Sequence, residues 1–269
     1  VGHWPLKKKS KSKREIVKTL RVALWAGLLL AGASIVLGAM QRKENAQVHE
    51  VLVDIQPLAD GNFLISEEDI PVILEDRFAH PITAFPVGQL DVERLERVLE
   101  EDPFVHSAEA YIDAQNRVNI ELVQREPLMR VMDNNGLNYY LDVDGQQLPP
   151  SKHYAARVRI ATGFIPPYEA DFRTKPEHLL NQVYELNELL RADPFLDALI
   201  EQIYLNKRGE MILSPKVGKQ TILMGRFHNT EDKLQRLKTF YKEGLPYKGW
   251  RAYRSFDLRY NGQVVCKKR

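Results

Sequence analysis

Cysteine is almost missing: the 269 residues contain one, Cys266. A single thiol excludes a disulfide framework and any cysteine-rich zinc or iron–sulfur centre. The seven histidines (His3, His49, His80, His106, His153, His178 and His228) show no metal-pair spacing, and there is no HExxH, GxSxG, P-loop or GxGxxG. Gly218-Lys219 lacks the upstream glycine that a phosphate loop needs. The acidic runs Glu67-Glu68-Asp69 and Glu100-Glu101-Asp102 fall at helix ends, where capping and solvation account for them. The sequence therefore nominates no catalytic residue, cofactor or metal, and the expectation is a protein that is not an enzyme.

Charge is unevenly spread. Residues 1–21 hold eight basic side chains and one acidic one, a net of +7, and the rest of the chain is at −5. The overall +2 thus comes from a short arm, and its lack of interleaved aromatics apart from Trp4 speaks for lipid headgroups rather than nucleic acid. Val22–Met40, VALWAGLLLAGASIVLGAM, has no charge and no proline. A helix of that length spans roughly 28 Å, close to the hydrocarbon thickness of a bilayer. A cleaved signal peptide is the competing reading; its apolar core runs to about 7–15 residues, shorter than this one. The basic arm before the segment places residues 1–21 in the cytoplasm, 22–40 in the membrane and the remainder outside.

The soluble part alternates helices with hairpins. Val48–Gln56 alternates apolar and polar residues as a half-buried strand. Ser66 opens a helix with the stripe Ile70, Ile73, Leu74 and Phe78, and Pro71 makes its start irregular. Asp91 caps a second helix, with Val92, Leu95, Val98 and Leu99 inward, stopped by Asp102-Pro103. Val105–Asp113 and Arg117–Gln124 pair across a polar turn. Beyond residue 126 come short strands at Leu128–Met132, Leu137–Leu141, from Gln147 and at Arg157–Ala161. Thr174 and Glu177 form a capping box for a helix with the stripe Leu179, Leu180, Val183, Leu186, Leu189 and Leu190, ended by Asp193-Pro194. Strands at Leu199–Leu205, Glu210–Leu213 and Thr221–Met224 precede a last helix from Asn229 or Thr230 to Gly244. Trp250–Tyr260 and Gln263–Lys267 close the chain as a hairpin across Asn261-Gly262. Two stretches echo each other, since both Asp102-Pro103-Phe104 and Asp193-Pro194-Phe195 follow a helix and precede a strand, with the phenylalanine expected to anchor that strand.

The last strand is expected at a sheet edge, where unpaired backbone groups can accept another chain. Lys267, Lys268 and Arg269 can equally be gatekeepers that blunt the edge.

Two stretches carry a family resemblance. Asp102-Pro103-Phe104-Val105 runs into Ala108-Glu109-Ala110 and then Val118-Asn119-Ile120-Glu121-Leu122-Val123-Gln124-Arg125-Glu126-Pro127; Asp257-Leu258-Arg259-Tyr260 precedes Gly262 and Val264-Val265. The first resembles the end of the POTRA module and the "REP" junction of the FtsQ/DivIB bacterial cell-division proteins; the second resembles that family's closing "DLRY" hairpin. The resemblance implies an α+β protein: one transmembrane helix, a POTRA-like β-α-α-β-β module over 48–125, and a strand-rich β domain over 126–269. It further implies a non-enzymatic scaffold in the inner membrane that binds FtsB/FtsL-type partners by strand addition and connects with septal wall synthesis. The site residues it points to are Arg259, Tyr260, Gln263, Val264, Val265 and Cys266. Some family members have a tryptophan late in this strand, where this chain has Cys266-Lys267-Lys268. The alternative is a POTRA-containing envelope chaperone for secreted or outer-membrane chains, with strand addition mapped to residues 48–125. An anchored hydrolase is a third class, for which the sequence nominates no residues.

Overall fold

The computed structural model describes residues 13–249 and 252–269; most of the basic arm (1–12) and Trp250 of the expected hairpin lie outside the described residues. Helix α1 (Lys13–Glu44) carries the apolar segment, and Leu24–Glu44 is long and apolar enough to cross a membrane, with none of it buried by the rest of the chain. Its end packs onto the first module at Gly88. A Cβ there would lie 2.9 Å from the Glu44 Cβ, so the close approach needs glycine.

The first module contains β1 (Glu50–Gln56), α2 (Asp69–Phe78), α3 (Val92–Glu100), β2 (Val105–Ile112) and β3 (Arg117–Gln124). Its sheet has the order β1-β3-β2, with β1 parallel to β3 (Val53 beside Ile120) and β2 antiparallel to it. Both helices pack on the sheet by the apolar stripes the sequence shows: Ile70 and Leu74 from α2, Leu95 and Leu99 from α3, against Val118, Ile120 and Leu122. Asp91 caps α3 as expected, its Oδ1 accepting from the Arg94 amide at 2.9 Å. Ser66 does not cap α2. The helix starts three residues later, so Pro71 falls in its first turn, where its missing N–H costs nothing. Ser66 instead bonds the Asp69 carboxylate through both its amide and its hydroxyl.

The second module is one sheet of nine strands, in the order β12-β11-β10-β9-β8-β7-β4-β5-β6. The strands are β4 (Pro127–Met132), β5 (Asn138–Asp142), β6 (Gln147–Leu148), β7 (Arg159–Gly163), β8 (Ile200–Leu205), β9 (Met211–Pro215), β10 (Thr221–Gly225), β11 (Tyr253–Asp257) and β12 (Val265–Lys268). Helices α4 (Leu179–Ala192), α5 (Pro194–Leu199), α6 (Thr230–Thr239) and α7 (Leu245–Lys248) supply Leu180, Val183, Leu186, Leu190, Leu234 and Leu237 to a core with Ile203, Leu213, Ile222 and Phe256. This is the α+β arrangement expected, a POTRA-like module followed by a strand-rich one.

In this second module four further local expectations fail. Thr174 lies in a 3₁₀ turn (Phe172–Thr174) and its hydroxyl donates back to the Asp171 carbonyl, so no capping box forms and α4 starts at Leu179. Asp193-Pro194 ends α4 but also starts α5, because Pro194 fits a first helical position and the Asp193 carboxylate accepts from the Phe195 and Leu196 amides. Phe195 is therefore helical and does not lead directly into a strand, whereas Phe104 does. The last helix does not end at Gly244: a π-helical turn (Phe240–Gly244) carries it into α7. The closing hairpin is not a two-residue turn. Residues 258–264 form a wide loop, because Leu258 is drawn into the core with its amide on the Leu223 carbonyl.

The modules join through Gln124-Arg125-Glu126. Buried Gln124 accepts from the Leu64 amide (2.6 Å) and donates to the Gln56 carbonyl (2.8 Å). Arg125 pairs with Asp142 at 3.0 Å, and the Glu126 carboxylate accepts from the Ala59 amide at 3.3 Å. Leu58 and Leu64 from one side pack with Tyr140 and Leu148 from the other. At the rim Asp69 holds Lys152 and His153, and Tyr154 donates to Asp60.

Candidate functional site

Phe256 anchors the closing hairpin. It is fully buried and meets Phe240, Tyr241 and Tyr253 edge-on, with ring centroids 5.0, 5.7 and 6.0 Å away. These aromatics tie β11 to the segment that follows α6. β11 runs parallel to β10 (Leu223 beside Asp257) and antiparallel to β12 (Asp257 beside Val265, Phe256 beside Cys266, Ser255 beside Lys267). No strand among the described residues lies on the far side of β12. Among the described residues β12 is therefore an edge strand.

The hydrogen-bond phase of that edge follows from one contact. The Leu258 amide donates to the Leu223 carbonyl at 2.9 Å, so residues 256 and 258 direct their backbone groups to β10. Successive residues of a strand point their N–H and C=O to opposite sides. Ser255 and Asp257 then face β12 and bond Lys267 and Val265, which leaves the N–H and C=O of Cys266 turned outward. The side chains alternate the other way: Val265 is 41% exposed on the open face, and Cys266 packs toward the helices. Burial raises the Cys266 thiol pKa, so it is less readily ionised than an ordinary thiol.

The other nominated residues divide. Tyr260 is 52% exposed at the tip of the loop. Gln263 and Val264 belong to the loop and not to the strand, a correction to the expected Gln263–Lys267 strand; Val264 packs on the core. Arg259 is committed internally, donating to Asp257 at 2.7 and 2.9 Å and reaching Glu210 at 3.5 Å. The hydrogen bonds to Asp257 push its pKa above the ordinary arginine value and hold Asp257 below the usual carboxylate range. Its stem also lies over Gly225 (φ +79°), where a Cβ would come within 2.8 Å. A residue that no motif or spacing marks completes the site. Arg236 of α6, its side chain 13% exposed and oriented by Asp232 at 2.9 Å, donates to the carbonyls of Leu258 (3.3 Å), Tyr260 (2.9 Å) and Gln263. It staples the wide loop to the helix.

The first module also has edges, and β2 is the longer one. Two of its outward amides are taken: Glu96 and Glu100, one turn apart on α3, accept from Ala110 (2.7 Å) and Ala108 (3.4 Å). The approach to β1 is held by the Val48 amide on the Phe85 carbonyl and the Val87 amide on the Ala46 carbonyl. Among the described residues no group of three or more His, Cys, Asp or Glu is placed to hold a metal.

Two family profiles match. The FtsQ/DivIB C-terminal-related profile covers residues 126–267, and a POTRA-like domain profile covers 46–123. The chain belongs to the FtsQ/DivIB family. Comparison with curated proteins returns no match. The family is one of non-enzymatic scaffolds associated with the division machinery, and an N-terminal apolar helix suits a single-pass membrane member of it.

Proposed function

We propose that this protein is a non-enzymatic scaffold of the bacterial divisome that receives an FtsB/FtsL-type partner by strand addition on β12. The observation that carries this reading is the outward backbone of Cys266 on a terminal strand with one neighbour. Backbone pairing supplies register, and the exposed Val265 and Tyr260 supply choice of partner. On this reading the basic arm is cytoplasmic, α1 spans the inner membrane, and both modules lie outside, linked to septal wall synthesis through the partner. The masked β2 edge favours β12 over the chaperone alternative, which needs the first module to take up strands.

A photo-reactive phenylalanine analogue placed at Val265, and separately at Tyr111 on β2, tests this in cells. An adduct containing an FtsB-type protein is expected from position 265. An adduct with that protein from position 111 and none from 265 would move the interface to the first module and overturn the proposal.

A further inference from the structure

At the end of the nine-stranded sheet remote from the Lys207–Gly209 turn, the parallel strands β4, β7 and β8 begin around a cleft of about 560 Å³. That volume is in the range of ligand sites. Its lining includes the apolar Leu128, Val158, Ile160 and Ile200 and several basic side chains. Arg159, 7% exposed, sits in the wall and is locked by the Ile200 carbonyl (3.0 Å), Asn187 and the Asp197 carboxylate (2.8 Å). Arg130 is likewise held, by Asn138 at 2.9 Å and the Tyr140 ring. Arg157, Arg191 and Lys216 come from three separate segments and are exposed. Of the three carboxylates at the cleft, Asp197 is engaged by Arg159 and Glu126 by the Ala59 amide, so one further carboxylate, Glu201, stands against three exposed cations in the lining.

We infer that this cleft, with basic and apolar side chains in its lining, is a second docking site, for an acidic segment of a partner polypeptide in which carboxylates flank an apolar side chain. The apolar residue seats on Val158 and Ile160, and the carboxylates pair with Arg157, Arg191 and Lys216. A peptide fits better than a phosphate. The exposed cations sit on long side chains, and the two fixed guanidiniums are already bonded within the chain, so nothing converges rigidly on one phosphoryl group. The cleft lies away from Tyr260 and Arg259, whose neighbour Glu210 follows the Lys207–Gly209 turn at the other end of β8, so it does not rest on the β12 reading.

The test is fluorescence anisotropy with the full chain in detergent and a labelled synthetic peptide of alternating glutamate and leucine, with inorganic pyrophosphate as competitor. Saturable binding that weakens with salt is expected. The double variant Arg157→Glu/Arg191→Glu should lose at least tenfold in affinity with an unchanged circular dichroism spectrum, and Lys207→Glu at the opposite end should bind normally. Absence of saturable binding, equal affinity in the double variant, or displacement by equimolar pyrophosphate overturns the proposal. Cys266→Pro separates the two sites: it should leave peptide binding intact, and loss of binding in that variant would mean that the peptide sits on β12 instead.

Discussion

Cys266→Pro tests the edge most directly, because the phase of the ladder makes its amide the outward donor of β12. Proline removes that N–H and places its ring where the added strand must lie. Each backbone bond of an added strand contributes about 0.5–1.5 kcal/mol net, and a partner carbonyl left unpaired costs about 1–3 kcal/mol. The sum, about 1.5–4.5 kcal/mol, corresponds to a loss of roughly 10- to 2,000-fold in affinity. No bond to β11 is lost, since Val265 and Lys267 make those. Val265→Pro is the opposite perturbation: it removes a bond to Asp257, and so lowers stability as well as binding. Titration calorimetry with the extracytoplasmic segment of an FtsB-type partner, beside thermal melts, separates the two variants. Wild-type affinity in Cys266→Pro with a native melt refutes strand addition at this edge.

Four further outcomes follow from the same contacts. Tyr260→Ala should weaken partner binding by about 2 kcal/mol, as for an exposed aromatic anchor, with an unchanged melting temperature; equal affinity by calorimetry would leave Tyr260 no part in docking. Arg236→Ala deletes three bonds to loop carbonyls, so amide exchange across 258–264 should rise well before that of β8 or β9; unaltered exchange in the loop would remove the staple. Glu96→Ala/Glu100→Ala should speed exchange at Ala108 and Ala110 and promote self-association seen by sedimentation, whereas the Gln variants keep an acceptor and stay protected; unchanged exchange would show that the carboxylates do not mask β2. Burial pushes the Asp69 carboxyl pKa up, but hydrogen bonds from Lys152, Ser66 and His153 outweigh it and hold it well below the usual range. Its contribution is therefore fully present above about pH 4 and fades as pH falls further, and Asp69→Asn should cost about 1–3 kcal/mol at pH 7 and flatten the acid limb of stability measured by urea melts.

The first module was legible because its signals are local. The stripe Ile70, Leu74, Leu95 and Leu99 has helical spacing, Asp91 caps where a cap is needed, and β2 and β3 flank a short polar turn. The second module shows where such signals stop. Thr174 and Glu177 have capping-box spacing, yet the threonine hydroxyl finds the Asp171 carbonyl first. Asn261-Gly262 is the strongest hairpin dipeptide in the chain, yet burying Leu258 and bonding Arg236 to three carbonyls outweighs a tight turn. Of the candidate site, the edge position was readable from a terminal hairpin. Which backbone groups face outward was not, because that depends on the Leu258–Leu223 bond across a parallel pairing. Arg236 and the Glu96–Glu100 pair were invisible for a similar reason: a long charged side chain on a helix reads as solvated until its carbonyl or amide partner is placed beside it.

Two edges in one chain are treated in opposite ways, and the contrast bears on how a partner is chosen. β2 is long, and carboxylates of the same module close its Ala108 and Ala110 amides, so blunting this edge needs no second protein. β12 is short, carries Lys267 and Lys268 with Arg269 just after it, and is braced from behind by Phe256 and Arg236. Terminal cations repel a second copy of the same strand and attract a partner with acidic residues flanking its pairing segment. A four-residue strand offers few bonds, so the docking free energy is modest in solution. If α1 and a partner helix share one membrane, the encounter becomes effectively intramolecular, and the same few bonds suffice. It follows that cutting the chain between α1 and β1 should weaken partner capture far more in vesicles than the loss of any single side chain at β12, while leaving the affinity of the two soluble fragments unchanged. Equal capture by the cut and intact proteins in vesicles would place all of the binding free energy in the edge itself.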